Sequence, residues 1–260
     1  MNQRGFDPAI IVALDVASRQ QAVALAKRLD PTLCQVKVGM ELFTAAGPII
    51  VKDLQKLGYK VFLDLKFKDI PNTVAGAVRS ACSLGVWMLN VHADGGSKMM
   101  RAAVEAVQKA AHPPLLLGVT VLTSMDASDL EEVGVTVLTS MDTQGVGEPG
   151  TVALTTSTLP QVCRLAKLVQ RCGLDGIVSS GQEIAAIRQQ CGEDFLIVVP
   201  GIRLPGGSQD DQARIVTPEM AIRAGADYLV VGRPITGAPD AVSALWDFNN
   251  RVFLARMEPD

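Results

Sequence analysis

Lys60-Val61-Phe62-Leu63-Asp64-Leu65-Lys66 runs into Phe67-Lys68-Asp69-Ile70-Pro71-Asn72-Thr73. The first seven residues make a short, mostly apolar run, as expected of a strand buried on both faces. The stretch 71–84 that follows has helical spacing. The same unit recurs on either side. Comparable runs are Ile10–Val16, Cys34–Met40, Val86–His92, Leu115–Leu122, Asp175–Ser179, Phe195–Pro200 and Asp227–Gly232. Helical stretches lie near 18–29, 44–57, 97–111, 158–172, 181–191, 217–224 and 239–255. Ser18 and Thr217 are placed as N-caps, with Pro218 at the first helical position. Glycines such as Gly173 and Gly192 fall at helix ends, where a left-handed residue is cheap.

Strands and helices alternating in this way, with no linker-like shift in composition, predict an α/β protein made of a single (βα)8 barrel. A doubly wound open sheet is the rival and would normally have fewer strands. The 260 residues suit one barrel domain, 1–260. One segment is irregular. Gly118–Asp126 reads GVTVLTSMD, and Gly134–Asp142 repeats it. Two copies are too few for a solenoid. The first copy is assigned to the fifth strand, because it follows helix 97–111 and the Pro113-Pro114 break. The second copy belongs to an insertion or long loop near 134–157.

Composition narrows the classes of function. Hydrophobic residues make up 48% and charged residues 20%, which excludes disorder as the main state. With 24 Lys+Arg against 27 Asp+Glu, the chain lacks the basic excess of a nucleic-acid binder. No apolar run approaches the roughly 20 residues of a membrane span, and the first residues lack a signal core. The five cysteines are scattered and form no C-x-x-C pair, so reduced thiols in the cytoplasm are expected.

In a (βα)8 barrel, chemistry sits at the carboxyl ends of the strands. The polar residues there are Asp15, Lys37, Asp64, Lys66, Asn90, His92, Thr123, Ser124, Ser179, Ser180, Arg203 and Arg233. Asp64 and Lys66 are two apart and share a strand face, and Lys37 on the neighbouring strand can point into the same space. Charges inside apolar strands are costly unless paired. The expected result is an alternating Lys–Asp–Lys array, read either as a structural ion-pair network or as a site. Glycines follow the seventh strand (Gly201, Gly206, Gly207), and Gly232-Arg233 follows the eighth. The loops after those strands are the usual phosphate site of this fold, and backbone N–H groups with an arginine suit a phosphate dianion. Other matches fail. Gly145–Gly150 fits G-x-G-x-x-G, but no helix starts inside it. Two histidines, His92 and His112, supply a metal cluster poorly. The Met99-Met100 pair reads as core filler on a helix.

Asp64-Leu65-Lys66-Phe67-Lys68-Asp69-Ile70-Pro71-Asn72-Thr73 resembles the D-x-K-x-x-D-I-P-x-T signature of the orotidine 5′-phosphate decarboxylase family. Ala13-Leu14-Asp15, Val36-Lys37-Val38-Gly39, Pro200-Gly201-Ile202-Arg203 with Asp211-Gln212, and Val231-Gly232-Arg233-Pro234 resemble its other segments, in order. The resemblance covers nearly the whole chain apart from roughly 134–157. It implies cofactor-free decarboxylation of orotidine 5′-phosphate to UMP in pyrimidine biosynthesis, with no metal. Lys66 is then the proton donor to C6, and Asp64 lies against the substrate carboxylate. Asp15 and Lys37 hold the ribose hydroxyls and the charge array, while Thr123 and Ser124 contact the base. Arg203, Gln212, Gly232 and Arg233 hold the phosphate. Asp69, Ile70 and Thr73 reach into the site of a second subunit, so the resemblance implies a homodimer with shared active sites. The closest rival is a metal-dependent sugar-phosphate decarboxylase or aldolase with a similar D-x-K-x-x-D strand. Those enzymes place a metal-binding carboxylate where this chain has Lys37, and a lysine would repel the metal. A nucleotide-sensing module without catalysis is a further alternative.

Overall fold

The computed structural model describes residues 8–133, 158–204 and 216–257. The second GVTVLTSMD copy, the loop placed near 134–157, Gly206, Gly207 and Gln212 lie outside the described residues.

Eight parallel strands pair in chain order, and the eighth returns to the first, closing a barrel. They are β1 (Ile10–Ala13), β2 (Gln35–Gly39), β3 (Val61–Phe67), β4 (Met88–His92), β5 (Leu115–Val119), β6 (Gly176–Val178), β7 (Leu196–Val199) and β8 (Tyr228–Val231). Because successive side chains alternate across a strand, each strand feeds two cores. Ile11, Ala13, Phe62, Met88, Leu117, Leu196, Val198, Tyr228 and Val230 fill the barrel interior. Ile10, Val12, Val36, Val38, Leu63, Leu89 and Val91 face outward into a larger core under the helices. Trp87 and Tyr228 meet edge to face at 5.2 Å at the amino ends of β4 and β8. The apolar interior is complete near that end, and the inward positions nearer the carboxyl ends are left to polar groups.

Eleven α-helices surround the barrel among the described residues. They are α1 (Arg19–Ala26), α2 (Met40–Ala46), α3 (Ile49–Lys56), α4 (Pro71–Ser83), α5 (Gly96–Gln108), α6 (Ala127–Glu132), α7 (Leu159–Cys172), α8 (Ile184–Cys191), α9 (Pro218–Arg223), α10 (Arg233–Thr236) and α11 (Ala241–Met257). The Ser18 hydroxyl accepts from the Gln21 N–H and that of Thr217 from the Met220 N–H, so both expected caps form. Met99 and Met100 are buried core residues. Gly173 ends α7 at φ 86°, a backbone region favoured by glycine.

The structure corrects several expected boundaries. The single helix 44–57 is two helices, α2 and α3, separated by Gly47 at φ 67° and Pro48. Proline disfavours helical backbone in the residue before it. The first strand stops at Ala13 and the fifth at Val119, because apolar sequence runs past the point where ladder pairing ends. The first repeat copy therefore supplies only Gly118 and Val119 to β5, and the rest forms the turn before α6. Two short helices, α6 and α10, were not expected. Asp126 caps α6 with a reciprocal Asp129 contact, and α10 begins at the arginine that follows β8.

Candidate active site

The inward positions at the carboxyl ends of β2, β3 and β4 carry Lys37, Asp64 and Asn90, each at least nine-tenths buried. Lys37 Nζ lies 3.1 Å from Asp64 Oδ2 and 3.1 Å from Asp15 Oδ1. Lys66 Nζ lies 2.6 Å from Asp64 Oδ1. The four groups form one row, Asp15–Lys37–Asp64–Lys66. Gly39 stands behind it. A Cβ there would come within 3.1 Å of both Asp15 Oδ1 and Lys37 Nζ, so the bare backbone leaves room for the pair.

Burial and charge oppose each other in this row. Burial disfavours the ammonium of Lys37, yet the carboxylates of Asp64 and Asp15 outweigh it and hold its pKa above the usual lysine value. Burial likewise disfavours charged Asp64, but Lys37, Lys66 and the Asn90 amide outweigh it and hold the carboxyl below its usual range. The signs fix the pH window. The stabilisation from Asp64 is fully present above the unfolded carboxylate value of about 3.9 and is lost as pH falls through the lower folded value. That from Lys37 is fully present below about 10.4 and is lost as pH rises through the higher folded value. Neither group changes charge in between. Turnover at saturating substrate is therefore expected to be level from about pH 5 to about pH 9. A break near neutrality in kcat against pH would contradict this assignment.

Two adjoining cavities flank the row. One, of about 140 Å³, is lined by Lys37, Asp64, Lys66, Thr123 and Ser179 among apolar walls that include Phe62, Val121 and Val178. The other, of about 450 Å³, is lined by Asp15, Lys37, Asp64, Gly201, Arg203, Gly232 and Arg233. Gly201 takes φ 79°, and Arg203 is buried with Nη1 donating to the Ile202 carbonyl, 3.0 Å away. One recess is thus largely apolar with a hydroxyl edge, the other carries two arginines, and Lys37 and Asp64 belong to both.

Nine of the residues expected from sequence therefore converge: Asp15, Lys37, Asp64, Lys66, Thr123, Arg203, Gly232 and Arg233 around the cavities, with Gly201 beside them. Ser124 is exposed on the turn after β5 and lines neither cavity. Asp69, Ile70 and Thr73 are also exposed and line neither. Asp69 Oδ1 accepts from the Ile70 N–H at 2.6 Å. His92 is a half-buried rim residue, its Nδ1 3.6 Å from Asp94 Oδ1. Burial pushes its pKa below the usual value, against the pull of Asp94.

Two participants were named among the strand-end polar residues but given no role. Asn90 donates to Asp64 Oδ1 and accepts from the Lys66 N–H, both at 2.8 Å. An asparagine in an otherwise apolar strand was the available signal, because a buried amide needs partners. The Ser179 hydroxyl is buried against the smaller cavity and has no hydrogen-bond partner among the described residues. Among those residues, no group of three or more His, Cys, Asp or Glu side chains is placed to hold a metal ion.

Fold and site together define a (βα)8-barrel enzyme that offers a charged row between an apolar recess and an arginine-bearing one. The profile of the orotidine 5′-phosphate decarboxylase / HUMPS family matches residues 8–248. The chain belongs to that family. It is 54% identical over 246 residues to the orotidine 5′-phosphate decarboxylase of Nitrosomonas europaea, covering 95% of this chain and 97% of the relative. It is 51% identical over 244 residues to that of Hydrogenovibrio crunogenus, covering 94% and 95%. The crystal structure of the enzyme from Lactobacillus acidophilus superposes with a TM-score of 0.78 at 37% identity, covering 95% of this chain and 99% of that one.

Proposed function

We propose that this chain decarboxylates orotidine 5′-phosphate, as its relatives' names state of them, and that it thereby forms UMP in pyrimidine biosynthesis. The observation that carries the assignment to residues is the row Lys37–Asp64–Lys66, packed at 3.1 and 2.6 Å beside a recess with two arginines.

The chemistry follows from that row. The bond between C6 and the carboxylate carbon breaks, the carboxylate leaves as CO2, and the electron pair stays on C6. The Lys66 ammonium is already in place to stabilise that pair and then gives C6 a proton. Asp64 faces the reacting carboxylate. Two like charges about 4 Å apart repel by about 4 kcal/mol at an effective dielectric near 20, and the repulsion vanishes as neutral CO2 leaves. Thr123 edges the base. Asp15 and Lys37 hold the ribose hydroxyls. Arg203, Gly232 and Arg233, with Gln212, grip the phosphate, whose binding energy holds the base against Asp64.

The family name also covers sugar-phosphate enzymes. A metal-dependent reaction of that kind asks for a carboxylate where Lys37 stands, and Lys37 already occupies Asp64 as a cation. The test is a spectrophotometric assay with orotidine 5′-phosphate in the presence of EDTA. Sustained turnover supports the assignment, and turnover that vanishes with chelation returns when a divalent metal is added only on the rival reading.

We also propose a homodimer with shared sites. Asp69, Ile70 and Thr73 face outward from the end of β3, and Ile70 is 67% exposed, which suits a partner's site better than their own. Mixing inactive Lys66→Ala with inactive Asp69→Ala protein is expected to restore about a quarter of wild-type activity, because random pairing leaves one intact site in half the dimers. No recovery after exchange would contradict sharing. All five cysteines are free thiols, which supports a cytoplasmic setting. The net charge of −3 supports a small-molecule substrate over a nucleic acid. No helix among the described residues is long and apolar enough to cross a membrane.

A further inference from the structure

Lys66 has φ 51° and is the one non-glycine residue with positive φ among the described residues. Lysine is strained there, so something must hold it. The distortion coincides with a break in pairing. Leu63 pairs with Leu89 and Phe67 with Val91, so four steps along β3 are matched by two along β4. Such a bulge takes backbone groups out of the ladder, and the Lys66 N–H is one of them. Asn90 lies midway between Leu89 and Val91 and supplies the acceptor, its Oδ1 2.8 Å from the Lys66 nitrogen. Its other end donates to Asp64 Oδ1 at 2.8 Å, the same oxygen that receives the Lys66 ammonium at 2.6 Å.

We propose that Asn90 is a positioning residue for the decarboxylation. One amide clamps the strained backbone of Lys66 to the carboxylate that its own ammonium meets. The orientation has one solution, because only the carbonyl can accept from the N–H and only the NH2 can donate to the carboxylate. Asn90 is 1% exposed, so removing the amide leaves the part-buried Lys66 N–H and a carboxylate lone pair without their partner. The bulge is then free to relax, and the ammonium shifts relative to the reacting carbon. A misplacement of about 1 Å can cost about 100-fold in rate. Asn90 lines neither cavity, so its loss acts on the chemical step rather than on the hold on nucleotide.

The inference rests on the decarboxylase reading, and wild-type turnover of orotidine 5′-phosphate is the control that tests that reading alone. With that turnover in hand, Asn90→Ala is expected to lose about 100-fold in kcat while its Kd for UMP stays within about threefold of wild type. Asn90→Asp supplies a second readout. When protonated, the new carboxyl mimics the amide, accepting from Lys66 and donating to Asp64. When ionised, it repels Asp64. The groups that meet that position are Asp64 and Lys66 on β3; behind Asp64 stand Lys37 on β2 and, paired with it, Asp15 beyond β1, and His92 follows two positions along β4. Asn90→Asp is expected to be most active near pH 5 and to lose activity as pH rises to about 8, where wild type stays level. Wild-type kcat in Asn90→Ala, equal losses of kcat and UMP affinity, or a wild-type pH profile in Asn90→Asp would each overturn the inference. Should the alanine variant not fold, the aspartate profile decides.

Discussion

Lys66→Ala is expected to lower kcat/KM for orotidine 5′-phosphate by at least about 10⁴-fold. Two effects are lost at once. A positioned proton donor contributes about 10² to 10⁴, and a fixed charge aimed at the developing anion contributes about 10² to 10³. The fold is expected to survive. Lys66 lies at the end of β3 and is only partly buried, and without it Asp64 keeps Lys37 at 3.1 Å as a countercharge. Breaking a buried ion pair is most damaging when it strands a charge, and here none is stranded. The melting temperature should stay within about 5 °C of wild type. A folded variant that keeps more than about a tenth of wild-type activity would remove Lys66 from the chemistry.

The second large effect is expected at a residue remote from the reacting carbon. Arg233 opens α10 at the end of β8, lines the larger cavity, and is exposed on its solvent side. Removing an exposed arginine costs a barrel little stability. Removing one partner of a charge pair that bound phosphate buries costs about 2 to 5 kcal/mol, so Arg233→Ala is expected to lose about 10³-fold in kcat/KM. Part of the loss should appear in kcat, because phosphate binding energy holds the base in the strained position. An unchanged kcat/KM with intact protein would put the phosphate elsewhere.

The repeating strand–helix unit made the barrel legible, since eight apolar runs with helical spacers leave few topologies open. Charges within those runs made the row legible, because an aspartate and two lysines in buried strands must meet. What escaped the sequence depends on backbone geometry that apolar pattern does not encode. Asp64 and Lys66 were expected to meet through plain alternation along a strand. They meet across a bulge, with Lys66 left-handed, and the amide that holds the bulge comes from another strand. The short α10 is too brief to show helical periodicity. The break between α2 and α3 was visible as Gly47-Pro48 and was outweighed by the apolar spacing around it. Ser124 follows Thr123 in the pair that the resemblance assigns to the base, but the turn after Val119 leaves it exposed.

A structure with UMP bound tests the central claim most directly. The charged row is expected to face the pyrimidine, with Lys66 Nζ within about 3.5 Å of C6 and the phosphate against Arg233. A base seated away from Lys66, or a phosphate outside the arginine recess, would contradict it.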